Sequence, residues 1–376
     1  MREHFVLLAA AVAAVASMFS VPPDRAYLGY IDGETLGCLF CVLAVANAFR
    51  YLGAFDRLGR MAIERFDRPR SVVMALVLTT GALSMVATND LALIVMLPLS
   101  ATTLVKAGWE RWIAPTFVMQ GLAANLCGMV LPFGNPQNLY LYSFYSLGSL
   151  EFLRVMVPPF VASTVIVMVG TWFLMRNSSG SDARMEPVSR LPLGRRRLAA
   201  YSLLLVLTAL AVFRVIPVLA VLVVVVGVLA YADRRALKAV DYPLLLTFVC
   251  FFVFAGNMAR MPFLADGLAG LMASDGLLAS AALSQVISNV PAAVLLSHFT
   301  GDWASLLAGV NIGGAGTLVG SLASLITLQH FISVPKVFPH LGCNPSVSLG
   351  RFLKLFAGFN FGSLVVLFAV CRLCGL

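Results

Sequence analysis

The sequence predicts an all-α polytopic membrane protein made of two inverted repeats, each with a re-entrant hairpin and a broken transmembrane helix. Three observations carry that prediction: a composition too apolar for water, a series of apolar runs of spanning length, and two polar tips that interrupt two of those runs in the same way. Of 376 residues, 60% are hydrophobic and only 11% charged, with a mean hydropathy of +0.93. A soluble chain of this length has no interior large enough to hide so much apolar surface, so lipid is the solvent for much of it. The net charge of +9 then speaks of topology. No basic stretch is interleaved with aromatics, and no nucleic-acid partner is expected.

Apolar runs bounded by charges, Gly or Pro fall near 4–22, 35–50, 71–87, 91–105, 112–147, 154–175, 198–215, 217–232, 242–259, 276–300, 303–329 and 352–375. The first follows a short basic start without a small-x-small cleavage site, so it reads as a membrane helix and not a signal peptide. Cys38 and Cys41, like Cys371 and Cys374, sit on apolar helices without His or acidic neighbours, and packing explains them better than a metal. The 276–300 run is broken by "SNVP" into arms too short to cross a hydrocarbon core of about 30 Å. It is expected to enter and leave by one face. The 71–105 run is broken by "TND" into longer arms, either a hairpin or two spans joined by a tight turn.

With both broken runs as hairpins and the N-terminus in the cytoplasm, only Arg25, Arg154, Arg214, Arg260 and Arg372 of the 26 basic residues fall on the outer side. That asymmetry predicts a multi-pass protein of the cell (inner) membrane with the C-terminus outside. A polar linker, 176–197, divides the chain into an N-terminal repeat, 1–175, and a C-terminal repeat, 198–376. Each half runs through an amphipathic stretch (51–66, then 260–273), a hairpin (71–105, then 276–300), a broken helix (112–147, then 303–329) and a closing helix. An odd number of crossings separates equivalent helices, so the halves are expected to be upside down relative to each other.

The tips match in detail. Ser84 stands four residues before Thr88–Asn89, and Ser284 four before Ser288–Asn289. The breaks align Gly134 with Gly320 and Asn135 with Ser321. A hairpin tip leaves backbone N–H and C=O groups that hydrocarbon cannot satisfy. Facing tips with Ser, Thr and Asn therefore enclose a polar chamber, in which carbonyls suit a cation such as Na⁺ and helix N-termini an anion. Gly134 and Gly320 allow close backbone approach, and Pro136 prevents the helix from continuing. Inverted repeats with facing broken helices are the plan of secondary transporters.

At these residues the sequence resembles the ion transporter superfamily, in particular divalent anion/Na⁺ symporters and citrate-transporter-like permeases. Their hallmark is a Ser-Asn-Thr tip in each hairpin and a "GTPPN"-like break. "SMVATNDLALIVMLPL", "SQVISNVPAAVLL" and "FGNPQN" carry the resemblance over roughly residues 35–375. It implies one sodium site at Ser84, Thr88, Asn89 and Gly134, and another at Ser284, Ser288, Asn289 and Gly320. Substrate contacts are expected from the tips and breaks: Thr88, Asn89, Asp90, Asn135, Pro136, Ser288, Asn289 and Ser321. It also implies elevator-type alternating access and a homodimer. The sequence departs from the family at the third tip positions, Asp90 and Val290, and at the second break, "GSLAS", which has no proline.

Asp90 has two readings, a helix cap or a group that binds the coupling cation or proton. Gln137 and Asn138 either close backbone bonds in the break or contact the solute. Asn311 with its neighbouring glycines reads as packing, His298 as a packed histidine, and Asn47 and Asn257 as structural amides before the hairpins. A channel would need a repeated filter, and an enzyme a nucleophile or metal cluster; no HExxH, GxSxG or paired acidic motif appears. The expected function is secondary transport of a small anion, a carboxylate or an inorganic oxyanion, coupled to Na⁺ or H⁺ and without a cofactor. The alternative is Na⁺/H⁺ antiport or arsenite-type efflux.

Overall fold

A computed structural model describes residues 3–64, 66–176 and 194–376. Most of the expected linker lies outside the described residues, as do Arg2, Arg65, Arg184 and Arg190. The N-terminal half comprises α1 (Glu3–Ser20), α2 (Gly33–Tyr51), α3 (Ala54–Ile63), α4 (Pro69–Ala87), α5 (Asn89–Lys106), α6 (Ile113–Cys127), α7 (Pro136–Phe144) and α8 (Ser149–Leu174). The C-terminal half comprises α9 (Arg195–Val212), α10 (Val218–Ala232), α11 (Arg234–Lys238), α12 (Tyr242–Ala259), α13 (Pro262–Ile287), α14 (Asn289–Leu296), α15 (Trp303–Ile312), α16 (Leu322–Val337) and α17 (Leu349–Leu373). Among the described residues there is no strand, and eight helices are long and apolar enough to cross a membrane. The fold is that of an all-α polytopic membrane protein.

Both hairpins form, with boundaries that the apolar runs do not show. The first has arms of 19 and 18 residues, longer than 71–87 and 91–105. Pro69, free of any need for an N–H partner, opens α4 two residues early, and Asn89 and Asp90 are drawn into the first turn of α5. At 1.5 Å per residue the arms are about 27–29 Å long, close to a full span. In the second half the amphipathic stretch and the first arm form one element, α13, interrupted only at Asp275 (φ −161°, ψ 87°). Asp275 accepts from the Leu278 amide at 2.9 Å and pairs with Arg372, so it starts a new helix at the kink. The arms proper are residues 276–287 and the eight-residue α14. The second broken helix runs on to Val337 instead of ending at 329.

Every residue of α6 is buried. A helix with no polar face belongs where protein surrounds it, and α6 packs on α4, α5, α8, α16 and α17. Phe117 meets Phe331 edge-on at 6.1 Å, and Phe331 stacks on Phe352 at 4.5 Å, so one aromatic column joins α6, α16 and α17. The two halves interlock crosswise. The outgoing arm α5 packs on α16, the helix after the other half's break, while α14 packs on α7, the helix after the first half's break. Tyr140 and Ser297 hydroxyls pair at 2.8 Å, and Tyr145 donates to the Ser297 and Thr300 carbonyls.

Around this core stand α2 with α9, α10 and α11, and the pair α1–α12. The α1–α2 loop is clasped to the end of α12. Arg260 binds Asp24 through both guanidinium nitrogens at 3.1 and 2.7 Å, and also donates to the Tyr30 hydroxyl. The Tyr30 ring lies on Gly256, where a Cβ would stand 2.6 Å from it. Asn257 donates to Ser17 and Tyr27. This clasp generates an acid-stability prediction. The Arg260 hydrogen bond holds the Asp24 carboxyl below its ordinary 3.8. A depressed folded value means stabilisation that is present above the unfolded value and lost as pH falls through the folded one. The melting midpoint should therefore drop on acidification below about 4, and Asp24→Asn, already without the pair, should show a smaller drop. Equal slopes for both proteins would remove Asp24 from the account.

Candidate functional site

The two tips adopt one backbone conformation. Thr88 has φ 68° and ψ 149°, and Ser288 φ 78° and ψ 156°. Residues with a Cβ rarely enter this region, at a cost of about 1–3 kcal/mol each, and do so where the surroundings leave no choice. The next residue supplies the constraint. Asn89 Oδ1 accepts from the Asp90 amide at 2.9 Å, and Asn289 Oδ1 accepts from the Val290 amide at 2.9 Å. The Thr88 and Ser288 carbonyls accept from Ala92 and Ala292, each at 3.1 Å. With its oxygen spent in this way, each Asn is left with its Nδ2 amino group, and among the described residues neither amino group has a protein acceptor. Two hydrogen-bond donors thus stand at two helix N-termini.

Ser84 and Ser284 spend their protons on their own helices, donating to Gly81 O at 2.7 Å and Ser280 O at 2.8 Å. Their oxygens retain lone pairs. Thr88 and Asn89 are 3% and 4% exposed and Asn289 is 3% exposed, while Ser288 is half-buried at the edge of a cavity. Asp90 sits half-buried in the first turn of α5, where a carboxylate meets the positive end of the helix dipole.

The breaks repeat as closely. Asn135 (φ −132°, ψ 140°) precedes α7 without a side-chain capping bond, and Ser321 (φ −150°, ψ 151°) caps α16, its Oγ accepting from the Ser324 amide at 3.2 Å. Gly134 donates to Leu131 O and Gly320 to Thr317 O, both at 3.2 Å. Each tip docks on its own half's break. A Cβ on Gly134 would lie 2.1 Å from Gly128 O and 3.3 Å from Ser84 O. In the second half Asn289 donates its amide to Gly320 O at 3.0 Å. Pro136 is the first residue of α7, as expected. The second break has no proline, and Gln285 replaces it as the organiser. Its Nε2 donates to Gly313 O at 2.6 Å and Ala315 O at 3.0 Å, while its Oε1 accepts from the Thr317 amide at 2.8 Å.

The halves meet through amides that sequence reasoning set aside or missed. Asn311 Oδ1 accepts from Gln137 at 3.2 Å and Asn135 at 3.5 Å, and Asn311 Nδ2 donates to Asn138 Oδ1 at 2.6 Å. Asn311 is therefore a junction and not simple helix packing. Its mate in the first half is Asn125, buried against Gly314 with both side-chain polar atoms lacking a partner among the described residues. A signal for the pair exists: Asn125 and Asn311 each stand three residues before a glycine, Gly128 and Gly314, at equal distance from Gly134 and Gly320. Asn47 and Asn257 lie elsewhere, bonded to Ala239 O and to Ser17 and Tyr27.

A cavity of about 860 Å³ opens at the second tip, between Ser288, Asn289 and Leu322 on one side and α1 and α12 on the other, with Phe251 and Phe254 in its wall. No residue of the first tip lines it. Pocket and tip together offer amide donors, hydroxyls, backbone carbonyls, apolar walls and the Asp241 carboxyl, without a Lys, Arg or His. Among the described residues no group of His, Cys, Asp and Glu is placed to hold a metal.

Comparison with known proteins gives the arrangement a context. The model of a family described as citrate transporter matches residues 1–308. An uncharacterized transporter of Methanocaldococcus jannaschii is 30% identical over 351 residues, 91% of this chain and 90% of that protein. The inner membrane protein YbiR of Escherichia coli is 30% identical over 330 residues, 87% of each chain. The silicon efflux transporter LSI3 of Oryza sativa is 29% identical over 169 residues, 45% of this chain and 34% of that one.

The packing at the first break yields a stability prediction. Gly134→Ala should lower stability by about 1–3 kcal/mol or more, because the new methyl meets a backbone oxygen that cannot move aside. Gly358→Ala, with nothing within 4 Å of the new atom, is the neutral control. Melting curves of the two purified proteins compare them; equal midpoints would mean that the first break has slack.

Proposed function

The chain belongs to the citrate transporter family, whose members transport and are not enzymes, and we propose that this one is a secondary transporter of a small anion coupled to Na⁺ or H⁺. The observation that carries this reading is the pair of tips with one backbone conformation, each offering at a helix N-terminus a carboxamide N–H₂ group without an acceptor among the described residues. A donor at the positive end of a helix suits an anion, a carboxylate or an inorganic oxyanion. The substrate set consists of Thr88, Asn89 and Asp90 with Asn135 and Pro136, and Ser288 and Asn289 with Ser321. Hydroxyl and carbonyl oxygens of Ser84, Thr88, Asn89 and Gly134, and of Ser284, Ser288, Asn289 and Gly320, are hard neutral ligands of the kind that suits Na⁺. In the proton-coupled version Asp90 carries the proton.

Movement in this reading is of the elevator type. The hairpins and broken helices travel as one body, because the second tip is bonded to its break, the first hairpin packs against its own, and Asn311 joins the two halves. The clasped α1–α12 pair and α2 with α9 and α10 stand still. The protein lies in the inner membrane with its N-terminus in the cytoplasm and its C-terminus outside, as a homodimer. A second reading, efflux of a hydroxylated oxyacid, draws on two observations. The tips and breaks contain no Lys, Arg or His to neutralise a polyanion, and one relative is named a silicon efflux transporter.

Asn89→Ala and Asn289→Ala should each reduce uptake into proteoliposomes to background while the protein stays folded. Either variant transporting at the unmodified rate would sink the proposal. Asp90→Asn should flatten the pH dependence of transport if Asp90 carries the proton, and an unchanged profile would leave it as a helix cap. Dicarboxylates, citrate, sulfate, arsenite, Na⁺ and Li⁺ can be screened by melting temperature, since ligands of the folded state raise it. Stabilisation by an anion only together with Na⁺ selects symport; stabilisation by arsenite alone selects the efflux reading.

A further inference from the structure

A second polar feature lies far from the tips. The end of α2, the first turn of α9 and the α10–α11 corner surround an open pocket of about 410 Å³ lined by Tyr51, Arg197, Ala232, Asp233, Arg234 and Arg235. Its frame is rigid. Asn47 on α2 donates to Ala239 O at 2.9 Å and so fixes α11 against α2, while Ala236 is wholly buried beneath. Asp233 makes the corner, its Oδ1 accepting from the Arg235 amide at 3.2 Å. Arg234 Nε donates to Ala230 O at 2.9 Å, which anchors its guanidinium at the end of α10.

The charges in this frame are unbalanced. The lining holds three arginines against one aspartate, and among the described residues no carboxylate is ion-paired with any of the three. Helix α9 turns its N-terminus towards the pocket with Arg195, Arg196 and Arg197 in its first turn and no acidic residue there. A helix start favours negative charge, and here cations crowd it instead. Beneath lies Tyr201, one helical turn after Arg197 on the same face. Its hydroxyl is buried and, among the described residues, has no hydrogen-bond partner.

The surroundings select the kind of anion. Tyr51 and Tyr231 are exposed beside the pocket at the ends of α2 and α10, the level at which tyrosines mark a membrane–water boundary. From there Leu203 and Val206 on α9, and Val223 and Val226 on α10, present exposed apolar side chains along the outside of the bundle. A ligand fitting both parts has an anionic head and hydrocarbon tails. We propose that this pocket binds the phosphate headgroup of an anionic phospholipid, with Arg197 and Arg235 as its principal ligands and the Tyr51 hydroxyl as a neutral donor. Guanidinium forks suit phosphate oxygens, and basic pockets at helix ends on the cytoplasmic side are a known mode of headgroup recognition.

The test uses the whole protein in neutral detergent, titrated with short-chain phosphatidylglycerol, with phosphatidylcholine of equal chain length, and with inorganic phosphate, read by melting temperature. Phosphatidylglycerol should raise the midpoint saturably, and phosphatidylcholine should not. Arg197→Gln and Arg235→Gln should each weaken half-saturation by about fivefold. Arg57→Gln, on α3 outside the pocket, should leave it unchanged. Either pocket variant, shown folded by its midpoint in phosphatidylcholine, suffices for the comparison. Equal shifts by both lipids, or unchanged half-saturation in both pocket variants, overturn the proposal. A response to inorganic phosphate at the same concentration as to phosphatidylglycerol overturns the lipid as source and leaves a soluble phosphate site.

Discussion

In hydrocarbon a backbone N–H or C=O without a partner costs several kcal/mol, and this chain interrupts its helices at four buried places. The structure meets that constraint by bringing the interruptions together in pairs. The second tip gives its Asn289 amide to Gly320 O, and at the first break Gly134 closes on Gly128 while the Ser84 carbonyl of the hairpin lies 3.3 Å from where a Cβ on either glycine would stand. Strained tips and broken helices are each costly alone. Together they form a polar body within an apolar bundle.

The halves solve the same problem with different residues. The first break relies on backbone chemistry: Pro136 cannot extend the preceding helix, and Gly134 closes on Gly128. The second has no proline, and a side chain performs the task. Gln285 collects two carbonyls and an amide of the break, while Gly316 takes φ +114° to turn it. Asymmetry continues at the junction, where Asn311 is saturated by Gln137, Asn135 and Asn138, whereas its mate Asn125 is unsatisfied. The two halves thus share backbone geometry at their tips and breaks while the residues that secure it differ.

Placement outside the polar body follows from the same economy of polar groups. The Asp24–Arg260 clasp holds α1 to α12 at an aqueous end, where ion pairs are cheap to solvate and contribute mainly fixed geometry. The arginines of the α9 start and the α10–α11 corner lie at another helix end, beside exposed tyrosines. Apart from the half-buried Asp90, the tips and breaks work with amides, hydroxyls and dipoles.

Much of this was legible in the residues themselves. Hydropathy identified the spans, because lipid demands about twenty apolar residues in a row. Thr88–Asn89 and Ser288–Asn289, each four residues after a serine, marked the tips, because polar residues in such runs are too costly to be incidental. Boundaries shifted where local capping outweighs hydropathy, as at Pro69 and Asp275. Only the tertiary structure decided the partnerships. Gln137 and Asn311 are 174 residues apart and Ser17 and Asn257 240 apart, while periodicity and caps speak only of neighbours a few residues away. A buried amide announces that it needs a partner, and the folded chain alone determines which one it receives.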